Sequence, residues 1–252
     1  ALELSGGQLT VPGGLQIAGD LILSGPGFNG TGATLIGTSI SSFGVSNRVF
    51  VRGGNLVHFD GVTLAMPMDL QAGGAFATRV RVKNGLTLNS MVTLAKGAGD
   101  YVALEFDGTQ TFGGNGEVVF LSATGGDTVQ PINGTLTIGA GITIRGNSGT
   151  VGNSALPLIN QGTIRAETPV SFGGMGILIK GSPVQNDGAL ESASGGSLSV
   201  ENLLNHGAVA GSSGGSVLMN GAWKNSGVIT VTDGSVDLGG EFAFVTGDDD
   251  RD

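Results

Sequence analysis

Cysteine is absent from this 252-residue chain, which excludes disulfide staples and thiolate metal sites. Two histidines are too few for a His-rich zinc site. Aromatics make up 5%, with one Trp and one Tyr, Trp223 and Tyr101, too few for an evident sugar-stacking platform. Charged residues make up 12%, about half the usual share. Eleven scattered Lys and Arg in a chain of net charge −9 leave no electrostatic footprint for nucleic acid or anionic lipid. No run of about 18 apolar residues occurs, so no transmembrane helix is expected. No dozen-residue stretch keeps an i, i+3, i+4 apolar pattern without a Gly interruption, so helix signals are nearly missing. The opening "ALELSGG" reads as strand and turn and carries no leader pattern. The chain is therefore expected to be a mature protein or an excised fragment.

Glycine is abundant: 49 of 252 residues, about 19% against roughly 7% usually. Gly has no three-residue period, which excludes collagen. An apolar share of 39% with positive mean hydropathy argues against disorder. Strand signals run throughout. "QLTV" (8–11), "LQIAGDLIL" (15–23), "RVFVRGGNLVHF" (48–59), "RVRVKNGLTL" (79–88) and "TLTIGAGITIRG" (135–146) place apolar residues at every second position. That is period two, one face buried and one wet. Gly, Asn and Asp between the runs are expected to supply the positive φ of tight turns.

Internal repetition decides the architecture. Four segments share Asn-x-Gly-x-aliphatic, starting at Asn160, Asn186, Asn205 and Asn225, with their glycines at Gly162, Gly188, Gly207 and Gly227. The last three asparagines are 19 (205 − 186) and 20 (225 − 205) apart. The first gap is 26 (186 − 160), which predicts an insertion of about seven residues in that turn. A second series, "GGSL" (195–198), "GGSV" (214–217) and "DGSV" (233–236), runs in phase. A period near 20 with two or three strands per period predicts an all-β solenoid of parallel coils stacked about 4.8 Å apart. The eight Asn and Gly positions are expected to form the repeat turns, the Asn side chains bonding from coil to coil. Roughly eleven to thirteen coils and a rod on the order of 55–60 Å follow. Residues 1–245 read as one continuous solenoid, less regular over 1–130 and regular over 131–245. Residues 246–252 read as an acidic tail or linker. A narrow interior of this kind is expected to exclude large rings.

The stretches "NGLTLNSMVTL", "ALEFDGTQTFGGNGEVVF", "NGTLTIGAGITIRGNSGTVGN", "LINQGTIRAE" and "GVITVTDGSVDLGGEF" resemble the β-strand repeats of large bacterial exported proteins, the filamentous-haemagglutinin-like and autotransporter-like adhesins. The resemblance covers roughly residues 84–242. It implies a right-handed parallel β-helix, exposed at the cell surface or secreted, serving as adhesin, stalk or matrix fibre. It supplies no catalytic motif.

Each chemistry-bearing residue also has a plain structural role open to it. Asp100, Glu105 and Asp107 lie close together in "GDYVALEFDG". Glu105 and Asp107 share a strand face opposite Val102, Leu104 and Phe106, so both are expected to point into solvent. Arg79, Arg81 and Lys83 form a basic stripe, able to pair with carboxylates of an adjacent coil or to bind an acidic glycan; pairing is preferred. Arg48 and Arg52 read similarly. His58 and Asp60 are spaced for a dyad, yet no G-x-S-x-G elbow accompanies them. His206 occupies the slot held by Gln161, Asp187 and Ser226 in its sister repeats, a permissive, solvent-facing turn. Asp248, Asp249, Asp250 and Asp252 could gather calcium, but the EF-hand and glycine-rich calcium repeats are absent. No other cofactor is expected.

The function expected is that of a non-enzymatic structural or adhesive solenoid in a bacterial surface or secreted fibre. Its partners would be itself, docked end to end or within a longer chain, and host or matrix glycans. A glycan-binding or glycan-cleaving β-helix is the alternative. Ice binding is disfavoured because no Thr-x-Thr ladder recurs in register.

Overall fold

The computed structural model describes residues 1–25, 31–44, 46–72, 77–97, 101–169 and 175–244. They form an all-β parallel solenoid of about nine turns, averaging about 24 residues each, without a helix. Each turn lays down strands on three faces. The first face is an eleven-stranded sheet running from Leu2–Ser5 to Val228–Thr232, and every pairing in it is parallel. The second and third faces each form a similar stack. They merge where Leu56–Leu64 and Thr78–Leu88 run from one face into the other without a break. These strands turn the corner at Gly61 (φ 61°) and at Asn84 and Gly85 (φ 53° and 90°). The register shift between Lys83 and Leu86 marks the same corner. The shared ladder is therefore two faces of one coil and not a barrel closed around its own axis.

The mean of about 24 residues corrects the expected period of 20, and the count and length shrink with it, to roughly 45 Å at the parallel-strand spacing. The period of 19 to 20 holds late in the chain, where Ala189 pairs with Ala208 and Ala208 with Val228. Several earlier turns are longer: Glu117 pairs with Thr143, 26 residues on, and Leu21 with Val49, 28 on, although Leu2 and Leu21, and Val49 and Met68, are again 19 apart. Most of the additional residues collect at one corner, with 43–48 between the third and first faces and 153–157 between the second and third as exceptions. Between first-face and second-face strands lie residues 25–30, 72–77, 96–101, 121–126 and 167–176. The insertion inferred from the Asn160–Asn186 gap is the last of these.

Alternation produces the core. In Leu21–Ser24, Val49–Arg52 and Met68–Gln71 every second residue is buried, so Leu21, Val49 and Met68 stack in one row and Leu23, Val51 and Leu70 in the next. Each such side chain contributes about 1.5–3 kcal/mol on burial. The interior also holds Phe59, Phe106, Phe112, Phe120 and Trp223, all nearly inaccessible, contrary to the expected exclusion of rings. The reason is strand length. Around the phenylalanines, Leu56–Leu64 and Thr78–Leu88 run unbroken across two faces, and Val102–Asp107 and Asp127–Asn133 have six and seven residues, against four or five in the later second-face strands. A longer strand widens the coil, and Phe106 and Phe112 fill it with ring centroids 5.1 Å apart.

The repeat residues sit at the corner between third-face and first-face strands, the asparagines closing the strands and the glycines standing in the bends. Asn160, Asn186, Asn205 and Asn225 end third-face strands, and the first three are buried. Each donates its amide to the next: Asn160 to Asn186 at 2.8 Å, Asn186 to Asn205 at 2.7 Å and Asn205 to Asn225 at 2.6 Å. Each also holds the carbonyl of its own glycine, at positions 162, 188, 207 and 227. None of these glycines has positive φ. They are required by space: a Cβ on Gly188 would overlap the carbonyl oxygen of Gly162, one on Gly207 that of Gly188, and one on Gly227 that of Gly207. Positive φ belongs to the second series, at Ser194, Gly195, Ser213, Gly214 and Asp233.

Candidate functional site

Chemistry-bearing side chains gather on the outer side of the second face, over the coils with the longest strands. Parallel register puts Thr34, His58, Arg81 and Glu105 in one row across four coils, and Asp60, Lys83 and, beside them, Asp107 in the next. Arg81 donates through both Nε (3.1 Å) and Nη2 (2.9 Å) to Glu105. Arg79 reaches the same carboxylate at 4.0 Å, and Lys83 lies 3.4 Å from Asp107. The basic stripe is thus spent largely on the next coil's carboxylates. Glu105 does not point freely into solvent, as its strand face suggested. Its side chain is only 4% exposed, because the two arginine side chains lie over it. Arg79 Nε, in turn, is buried without an acceptor among the described residues. Asp100 lies outside the described residues.

Beside this cluster a cleft of about 290 Å³ is lined by Thr34, His58, Phe59, Asp60 and Lys83. His58 and Asp60 both line it, but they are not hydrogen-bonded to each other. Asp60 instead accepts from Asn84 Nδ2 at 2.6 Å. Partial burial, and then the positive charges of Arg81 and Lys83, push His58 below the ordinary imidazole value, so the ring is held neutral. A nucleophile held by a base is missing from this group.

Elsewhere on the surface the other candidates are occupied. Arg48 pairs with Asp69 at 2.9 Å, and Asp69 also accepts from Thr93 on the next coil. Arg52 lies over the Phe50 ring, 4.1 Å from its centroid. His206 is exposed, and its Nδ1 sits 2.9 Å from Asp187, one coil earlier in the same repeat slot. Trp223 is buried, with its indole N–H donating to the Gly239 carbonyl at 2.8 Å, so it offers no ring to a sugar. Among the described residues no group of three or more His, Asp or Glu side chains is arranged to hold a metal ion. Asp248, Asp249, Asp250 and Asp252 lie outside them.

Two arrangements were not anticipated. The first is a charge ladder on the first face, Glu117–Arg145–Glu167–Arg165–Glu191. Arg145 contacts Glu117 at 2.9 Å and also pairs with Glu167; Arg165 contacts Glu167 at 2.9 Å and approaches Glu191 at 3.9 Å. The bond to Glu167, then that to Glu117, raises the Arg145 guanidinium above its usual value. Strand alternation could have found it, since all five charges sit at polar positions of first-face strands or their ends. The second is Asp127, fully buried. Its carboxylate accepts from the backbone N–H groups of Ser122 (2.9 Å) and Lys96 (3.0 Å) and from the Ser122 hydroxyl (2.7 Å). Burial pushes its carboxyl above the usual range, partly offset by these hydrogen bonds. It fastens one corner loop to the coil before it, a role without a local sequence signal.

Comparison with known proteins found no matching family model, no similar curated protein and no similar solved structure.

Proposed function

We propose that this chain is a structural or adhesive segment of a bacterial cell-surface or secreted fibre, as its resemblance to filamentous-haemagglutinin-like and autotransporter-like repeats suggests. The observation carrying this reading is the state of the solenoid's two ends. On the last described coil Val231 and Leu238 follow the inward rows of Gly211 and Met219, yet they are 51% and 43% exposed. On the first, Leu2 heads the inward row of Leu21 and is 45% exposed. Among the described residues, the strands of the first and last coils also have no further strand beside their outer edges, and such edges template additional strands. A following coil, from the same polypeptide or from a second copy docked head to tail, buries these residues and continues three ladders of backbone hydrogen bonds. The mechanism is mechanical, and the side faces are left to contact surfaces.

A catalytic glycan-active reading is less well supported, because Glu105 is tied up by arginines and cannot serve freely as acid or base. Concentration-dependent light scattering tests the fibre reading. The chain is expected to grow in mass with concentration, and Leu238→Glu to abolish the growth. A strictly monomeric chain at high concentration would refute head-to-tail docking of copies, and cleavage of an acidic polysaccharide by the purified protein would refute the structural reading.

A further inference from the structure

The cleft on the second face has hydrogen-bonding capacity that the fold does not use. Thr34 Oγ, both ring nitrogens of His58 and the second carboxylate oxygen of Asp60 have no hydrogen-bond partner among the described residues, and Asp60 has no ion pair there. Lys83 turns to Asp107 and leaves the other donors of its ammonium open. These groups come from three successive coils, so they are spaced along the axis at about 4.8 Å, comparable to the length of one pyranose ring. Their chemistry is mixed. Thr34 and a neutral imidazole each donate and accept, Asp60 only accepts and Lys83 only donates. A simple anion entering the cleft would meet Asp60, and a simple cation would meet Lys83 with Arg81 behind it. A row of neutral hydroxyls, each donating and accepting, satisfies all four groups without like-charge repulsion.

We propose that the cleft of Thr34, His58, Asp60 and Lys83 binds a neutral saccharide through its hydroxyl groups. Asp60 accepts from two adjacent hydroxyls, Lys83 and Thr34 donate to their oxygens, and His58 bridges them. No exposed aromatic ring lines the cleft, so affinity is in the millimolar range. The proposal gives a site to the glycan-binding reading and is independent of end-to-end docking: a chain that never forms filaments can still bind here.

The test uses the whole chain and neutral hexose trisaccharides as probes, followed by NMR of the two histidine rings. His58 reports on the cleft, and His206, near the opposite end, is the internal control. Saturable shifts of His58 with His206 unmoved are expected. Asp60→Asn, which removes the charge with little change of shape, is expected to weaken binding roughly tenfold. Thr34→Val is expected to weaken it several-fold, and Arg165→Gln to leave it unchanged. Circular dichroism confirms that the variants remain folded. Absence of a saturable His58 shift at millimolar saccharide would overturn the proposal, as would equal binding by folded Asp60→Asn. A zwitterionic amino acid that shifts His58 where the trisaccharides do not would also overturn it.

Discussion

Up to about residue 130 surface ion pairs tie one coil to the next, and from residue 160 onward an interior amide chain joins the surface pairs Arg165–Glu191 and His206–Asp187. In the early coils Arg48–Asp69, Arg81–Glu105 and Lys83–Asp107 each span neighbouring turns on the surface. In the late coils the Asn160–Asn225 amide chain runs along the interior, and outward positions hold Ala208, Ser216, Ser235 and Thr230. The ladder of Glu117 to Glu191 bridges the two regimes. The difference follows from coil size. The coils around Arg81, Glu105 and Asp107 are long, and their long charged side chains reach across on the surface. Coils of constant length hold one residue in one slot turn after turn, so a short amide suffices, and the Asn160–Asn186 and Asn186–Asn205 bonds are buried.

The largest expected effect breaks the inner fastening. Asn186→Ala removes one acceptor of Asn160, whose amide keeps the Gly162 and Ala189 carbonyls, and leaves the buried Asn205 Oδ1 without its donor, at a cost of about 3–4 kcal/mol. Denaturant unfolding should show the loss, and hydrogen exchange should confine it to residues after about 158. Next comes Glu105→Ala on the outer fastening. It strands Arg79 and Arg81, and because both are partly exposed the cost is about 2–3 kcal/mol. Its hydrogen-exchange effect should stay within residues 78–133.

Titration sharpens the same contrast, since both shifted groups that are not arginines lie in the early half. His58 is lowered, so its contribution is present above the ordinary value of 6.5 and is lost as pH falls through the lowered one. Asp127 is raised, so its contribution is present below 3.8 and is lost as pH rises through the raised value. Thermal unfolding against pH is expected to lose the first slope in His58→Gln and the second in Asp127→Asn. The smallest effect belongs to the exposed end of the charge ladder. Glu191→Gln should change stability by about 0.5 kcal/mol or less, and salt should erase even that.

The late coils were legible because each slot repeats. The alternation named the inward rows, and the Asn-x-Gly spacing named the turns and the one insertion. That Gly188, Gly207 and Gly227 serve space and not φ is hidden in the sequence, which shows residue type and not the approach of one coil to the next. The mean period was underestimated for a related reason: the 19-residue spacing is visible only where no corner loop interrupts it. At the cleft, the pairing of the basic stripe with Glu105 and Asp107 follows from strand alternation plus a coil step of 24 residues. The burial of Glu105 does not follow, since it depends on two arginine side chains folding down over it.

Electron microscopy of the concentrated chain tests most directly whether one copy continues the coil of the next. Unbranched filaments one solenoid wide, lost in Val231→Glu, are expected, while single rods of roughly 45 Å at every concentration would rule out such docking.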